Sequence, residues 1–471
     1  MMTSSRLTME SGLKRLLFLW FVSLALELGL LVFLDIPWII TVFFPLAYVI
    51  LLLALLITIH SQHDWLNPLA LVILIGFVRF SIPGILVFFI QPDIPVFQMM
   101  RLQKEDWILG HALALIGLLS LVIGWFLAEV MNDTTFQRVS KWSTADLSRG
   151  IPWAALLGML LGSIALLAFV GGNTPVLDTI RTGNFRGTRI QSGTGKYFYF
   201  SLLLIASSVV FSAYLVRVKH TWRIALLPVI VAAAAFWVLG GRARSFTPLN
   251  AGLLVVWSQR DNSRISLRAV LSFVLITALA IMGFYAGALY RQGTQAEDIV
   301  QFSLLGLLDY ISEAVWTDLG QLHALAAAVA IGPSVLGGRT FLLLLWPASA
   351  ILDLSARSAG IFIVETLLMF GDRRWGFHAT LIGDAYLNFG QIGVFITVTI
   401  FGMVLNTLYI RFRKGVINST FYAISIVYGI RIFFESIEKF GEMLVVLFFA
   451  LLIIKFGHVL PKFHLQSEPG D

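Results

Sequence analysis

From Lys14 to Pro37 the chain reads KRLLFLWFVSLALELGLLVFLDIP. Two cations precede an apolar run, Leu16 to Leu34, that carries a single charge, Glu27. A secretory signal has a shorter apolar core and a small-x-small cleavage site. This run is longer, lacks such a site and leads straight into a second apolar run. It reads as an uncleaved helix long enough to cross a bilayer.

Outward from it, similar runs fall at 38–59, 67–90, 107–130, 152–170, 196–216, 222–240, 246–258, 268–290, 385–410, 416–434 and 443–460. With the first, that predicts about twelve transmembrane helices. The run at 246–258 is short for a span and is expected to be tilted or extended at one end. Composition agrees. Of 471 residues, 58% are hydrophobic and 13% charged, with a mean hydropathy of +0.88. A soluble fold of this size cannot hide so much apolar surface. A disordered chain would be polar and highly charged. The expected fold is all-α: one polytopic membrane domain over 1–471.

Short loops carry an excess of Lys and Arg on the cytoplasmic side. Placing the N-terminus inside gathers Lys14 and Arg15, Arg138 and Lys141, Arg217 and Lys219, Arg260 and Arg264, and Arg411, Arg413 and Lys414 on that side. Both termini are then cytoplasmic. The net charge of +7 fits contact with an anionic leaflet. No basic groove with interleaved aromatics points to nucleic acid. Cysteine is absent, so disulfide and thiolate chemistry are excluded.

Two outer segments defy the charge rule, 171–195 and 291–384. The longer contains the apolar pieces 319–335 and 341–352, interrupted by Gly332, Pro333, Gly337, Gly338 and Pro347. These are expected to be short interfacial or re-entrant helices, with a further hairpin of spans as the alternative.

The 171–195 loop sets Arg181, Arg186 and Arg189 among glycines. A guanidinium matches phosphate oxygens two at a time, and glycine lets backbone N–H groups approach an anion. The loop suits a lipid-linked diphosphate, against the plainer alternative of head-group anchoring. Arg242 and Arg244 close the seventh helix on the same side, where boundary charges face a cavity, a partner or lipid phosphate.

A third group runs from Gly371 through Trp375, His378, Asp384 and Asn388 to Gly390. His378 can accept a proton near neutral pH. Asp384 can orient an imidazole or act as a base, or simply interact with a helix dipole. Asp384 and Asn388 share one helix face. No metal-ligand spacing, nucleotide loop or nucleophile elbow occurs, so neither metal nor cofactor is expected.

The stretch Gly383-Asp384-Ala385-Tyr386-Leu387-Asn388-Phe389-Gly390-Gln391-Ile392-Gly393 resembles a motif of the Wzy family of polysaccharide repeat-unit polymerases. Gly171-Gly172-Asn173-Thr174-Pro175 and Gly240-Gly241-Arg242 are similar to two further family elements. Asp384 stands where the family more often has Glu, and the Asn-Thr-Pro sequence departs from its apolar-Pro pattern. The resemblance implies a metal-independent glycosyltransferase of the bacterial inner membrane with its active site facing the periplasm. It would extend O-antigen or exopolysaccharide chains carried on undecaprenyl diphosphate, alongside chain-length regulator and flippase proteins. Arg181, Arg186, Arg189 and Arg244, then Arg242, Arg291 and Arg339, would hold the diphosphate. His378 or Asp384 would be the base, and Trp375 and Asn388 would contact the glycan. A glycan ligase shares this chemistry. A transporter of lipid-linked glycans is expected to show internal repeats and broken helices instead.

Overall fold

The computed structural model describes residues 67–76, 79–80, 102–131, 150–171, 195–219, 222–238, 242–258, 321–345, 359–367, 378–415 and 417–460. Among them are eleven α-helices, one 3-10 helix and no strand. In chain order they are α1 (Pro68–Gly76), α2 (Lys104–Met131), α3 (Ile151–Gly171), α4 (Gly195–Lys219), α5 (Trp222–Val238), α6 (Arg242–Ser258), α7 (Leu322–Ile331), the 3-10 helix Arg339–Leu345, α8 (Ala359–Leu367), α9 (Thr380–Arg413), α10 (Ser419–Phe434) and α11 (Lys439–Val459). The expected runs at 16–34, 38–59 and 268–290 lie outside the described residues.

Five of these helices, α2, α3, α4, α9 and α11, are long and apolar enough to cross a membrane. Their exposed faces are apolar too. On α3, Trp153, Leu156, Leu157, Leu160, Ile164 and Leu167 recur at helical spacing and are all exposed. In water such a stripe would drive aggregation; against lipid it is the expected exterior. The protein is a helical membrane protein.

The residues fall into two compact units. In the second, α3 and α4, α4 and α5, and α5 and α6 pack as successive hairpins. Their core runs from Ile151 through Leu202, Val209, Val229 and Val255 to Tyr428 and Val446.

The first unit is built on a glycine seam along α2. Gly110, Gly117 and Gly124 are seven residues apart, two turns, so they share one face. A Cβ on Gly110 would meet the Ala326 nitrogen of α7 at 2.9 Å. One on Gly117 would strike Ile382, and one on Gly124 would strike the Thr399 carbonyl. Small residues let helix backbones touch where no hydrophobic drive exists between helices. Asn406 Nδ2 of α9 bonds the Trp125 carbonyl of α2 across the same contact.

That seam exposes a departure from expectation in α9. The run at 385–410 reads as one continuous span. At Gly390, however, φ is 69° and ψ −161°, a backbone region essentially confined to glycine. The chain doubles back there. In a straight helix Ile382 and Thr399 would stand about 25 Å apart. They meet Gly117 and Gly124 of α2, whose separation along that helix is about 10 Å. A Cβ on Gly393 would lie 2.9 Å from the Ala385 carbonyl, eight residues back. Residues 380–389 are therefore a half-helix folded against the long limb 391–413. From Thr380 to Asn388 it is buried, whereas Phe389, Ile392, Phe395, Ile396 and Ile400 beyond it are exposed.

Helix α7 falls in the stretch 319–335, expected to be interfacial or re-entrant. A helix lying on an interface shows one wet face. Leu322 to Ala328 of α7 are all buried instead. Helix α7 packs on α2 and alongside the half-helix, its Leu325 and Ala328 facing Gly383.

Candidate functional site

Both ends of the half-helix are closed by chain remote in sequence. At its C-terminal end, breaking the helix strands the Tyr386 and Leu387 carbonyls. The Ser334 N–H bonds the first at 3.1 Å and the Leu336 N–H the second at 2.8 Å. Gly332, Gly337 and Gly338 all have positive φ, which shapes this strap. Asn388 Nδ2 donates to Thr340 Oγ1 at 2.5 Å and to the Asp384 carbonyl at 2.6 Å. Asn388 is buried and its amide is committed to these bonds.

At the other end Thr380 acts as the N-cap, its Oγ1 accepting from the Gly383 N–H at 3.0 Å. Thr380 is held at φ 63°, an outlier for a β-branched residue. Its N–H donates to the Glu435 carbonyl at 2.9 Å. The turn 435–438, between α10 and α11, thus meets the start of the half-helix. There Asp384 Oδ2 accepts from Ser436 Oγ at 3.0 Å and from the Ile437 N–H at 2.9 Å. Asp384 is fully buried, and no described group bonds its Oδ1.

Charges line this turn. Arg431 forms a bidentate pair with Glu435 at 2.9 and 2.8 Å, both residues buried. Lys439 lies 3.1 Å from Glu438. Burial pushes the Glu435 carboxyl up, but the adjoining Arg431, then Lys439 and His378, outweigh it and hold the group well below the usual range. His378 is half-buried. Desolvation lowers its pKa, partly offset by Glu435. His323, at the start of α7, lies within electrostatic reach of it. The structure thus brings two predicted residues, His378 and Asp384, into one group. Arg431, Glu435, Ser436 and Lys439 were not among the residues singled out in the sequence. The signal was Arg431, Glu435 and Lys439 at four-residue spacing with alternating sign.

In the second unit, Arg242 and Arg244 belong to the first turn of α6, where a loop closing the preceding helix was expected. The Arg244 guanidinium sits 4.3 Å over the Phe198 ring of α4. Its terminal nitrogen is 3.7 Å from Glu442 of α11, and Arg244 retains 25% exposure. Phe198 in turn packs on Phe169, ring centroids 5.5 Å apart. Phe169 lies in the last turn of α3 and Phe198 in the first turn of α4, so these two helix ends lie beside Arg244.

Arg339 is exposed at the start of the 3-10 helix. Arg181, Arg186, Arg189, Arg291 and Trp375 lie outside the described residues. No group of three or more His, Asp or Glu side chains suited to a metal occurs among the described residues. No protein-family model, curated protein or solved structure matches the chain.

Proposed function

We propose that this protein is a glycosyltransferase that polymerises undecaprenyl-diphosphate-linked oligosaccharide repeat units. It would act at the outer face of a bacterial inner membrane, within about twelve spans and with both termini cytoplasmic. The resemblance at 383–393 suggests the family. The observation that supports the proposal is the placement of Arg244 beside the end of α3 and the start of α4, the helices between which Arg181, Arg186 and Arg189 fall in the sequence.

Cleaving a sugar–phosphate bond leaves negative charge on the departing diphosphate. Preorganised guanidinium groups at a partly dry site stabilise that charge as it develops. Arg244, fixed by an aromatic face and a carboxylate, loses little freedom on binding an anion. Arg242, Arg291 and Arg339 are further candidates for the same anion. The attacking hydroxyl needs a base, for which His378 and Asp384 are the candidates. Trp375 offers a ring for a sugar face. Chain-length regulator and flippase proteins would be partners.

Purified protein in liposomes, given lipid-linked repeat units and no nucleotide, should yield a ladder of longer glycans. Arg244→Ala should slow elongation about 100-fold with protein levels unchanged. An unaltered ladder for Arg244→Ala removes the diphosphate role. A second reading, transport of lipid-linked glycans, is favoured by the break at Gly390, since transporters build their sites from discontinuous helices. Movement of the carrier across the liposome bilayer without elongation would establish it over the first.

A further inference from the structure

Asp384 stands apart from every other carboxylate at the turn. Glu435 has Arg431 on both oxygens, and Glu438 has Lys439. Asp384 has two donors, Ser436 Oγ and the Ile437 N–H, and both fall on Oδ2. Oδ1 is buried and unbonded among the described residues. The charged side chain acting on the carboxyl is Glu438, of like sign.

Its other neighbours do not change this. Arg431 is committed to Glu435, and Lys439 to Glu438. Arg79 lies over the Phe434 ring, 5.3 Å from its centroid. His378 acts electrostatically on His323 of α7, like charge on like. The face of α2 that meets the half-helix around Gly117 carries Leu113, Ala114 and Leu121, with no ionisable group. Gln321, at the start of α7, is a second buried side chain there, its Oε1 unbonded among the described residues.

A buried charge must be paired or neutralised. A carboxylate anchored on one oxygen by two donors, with the other bare, can satisfy that only by gaining a positive charge at the bare oxygen. We propose that Asp384 Oδ1 is the seat of one exchangeable monovalent cation, a proton or a sodium ion. The two donors on Oδ2 favour the ionised state. The bare, buried Oδ1 and the like charge of Glu438 favour the neutralised one. Opposed demands of this kind keep both states within reach. This goes beyond the glycan chemistry and does not depend on it, because the cation binds with no carrier lipid present.

The test is infrared difference spectroscopy on the full protein in lipid, without any glycan. One arm exchanges acidic for neutral buffer at constant choline chloride. The other exchanges choline for sodium at fixed pH. The expected result is a carbonyl-stretch band of a protonated carboxylic acid that disappears as the buffer becomes neutral and is lost in Asp384→Asn. Displacement of that band by sodium at fixed pH assigns sodium as an occupant; no effect of sodium leaves the proton as the sole one. Ser436→Ala, which removes one anchor from Oδ2, should shift the band without abolishing it. The wild-type spectrum alone can overturn the proposal. A protein with no carboxylic-acid band responsive to either exchange has no such site, whether or not Asp384→Asn folds. A responsive band that persists in a folded Asp384→Asn places the cation elsewhere. Elongation in liposomes is scored separately, so either idea can fail while the other stands.

Discussion

At the scale of single residues, the paired charges and His378 tie stability to pH in one direction. His378 is lowered from 6.5, so between its folded value and 6.5 the unfolded chain binds the additional proton. Its contribution is whole above 6.5 and fades as pH falls below it. Glu435 is lowered from 4.5, so its contribution is whole above 4.5 and is lost as pH falls through its folded value. In thermal unfolding in detergent, the share of the midpoint that these two groups supply should therefore decline in two stages on acidification. His378→Gln should flatten the first stage and leave the second. A His378→Gln profile that superimposes on the wild type between pH 6.5 and 4.5 would contradict the His378 assignment. His378 and Asp384 could be singled out in the sequence, because ionisable groups at the edge of an apolar run demand a reason. Ser436 and the Ile437 N–H could not. A serine and a backbone amide carry no signal of their own, and their partner is more than fifty residues away.

At the scale of elements, the helices were legible and the fold-back was not. Hydrophobic length alone placed α2, α3, α4, α5 and α11 within a few residues of their observed limits. A hydropathy window cannot see a reversal made by one glycine inside an apolar run, so 385–410 reads as a single rod. Gly390 and Gly393 were visible in the 383–393 stretch, but nothing in the sequence marked a hairpin without a loop there. Two glycines of that stretch should respond in opposite ways. Gly390→Ala puts a Cβ into a glycine-only backbone region and should destabilise the fold by about 1–3 kcal/mol. At Gly383 the added Cβ meets Leu325, Thr380 and Ala328 at 3.5 to 3.7 Å, ordinary contact distances. Gly383→Ala should be neutral or slightly stabilising, given the better helix propensity of alanine. Thermal midpoints of the two variants, measured side by side, decide it. A tolerated Gly390→Ala would mean that the fold-back is not required.

For the whole molecule, the orientation expected from the charge bias is open to a direct chemical test. The chain contains no cysteine, so any thiol introduced is the only one present. Ser192→Cys should react with a membrane-impermeant maleimide applied to intact spheroplasts. Ser140→Cys should react only after permeabilisation. The reverse pattern would place the arginine-rich segment in the cytosol and end the glycan-polymerase proposal. The closure of the half-helix at both ends also bears on how the protein is made. The strap at 332–338 leaves the ribosome before residues 380–389, but the turn at 435–438 leaves after them. When the half-helix first enters the bilayer, its start has no lid and Asp384 has neither donor. The segment cannot settle during its own synthesis. It must wait for α10 and the turn that follows it to be delivered, so the surroundings of Asp384 are assembled only when that later part of the chain arrives.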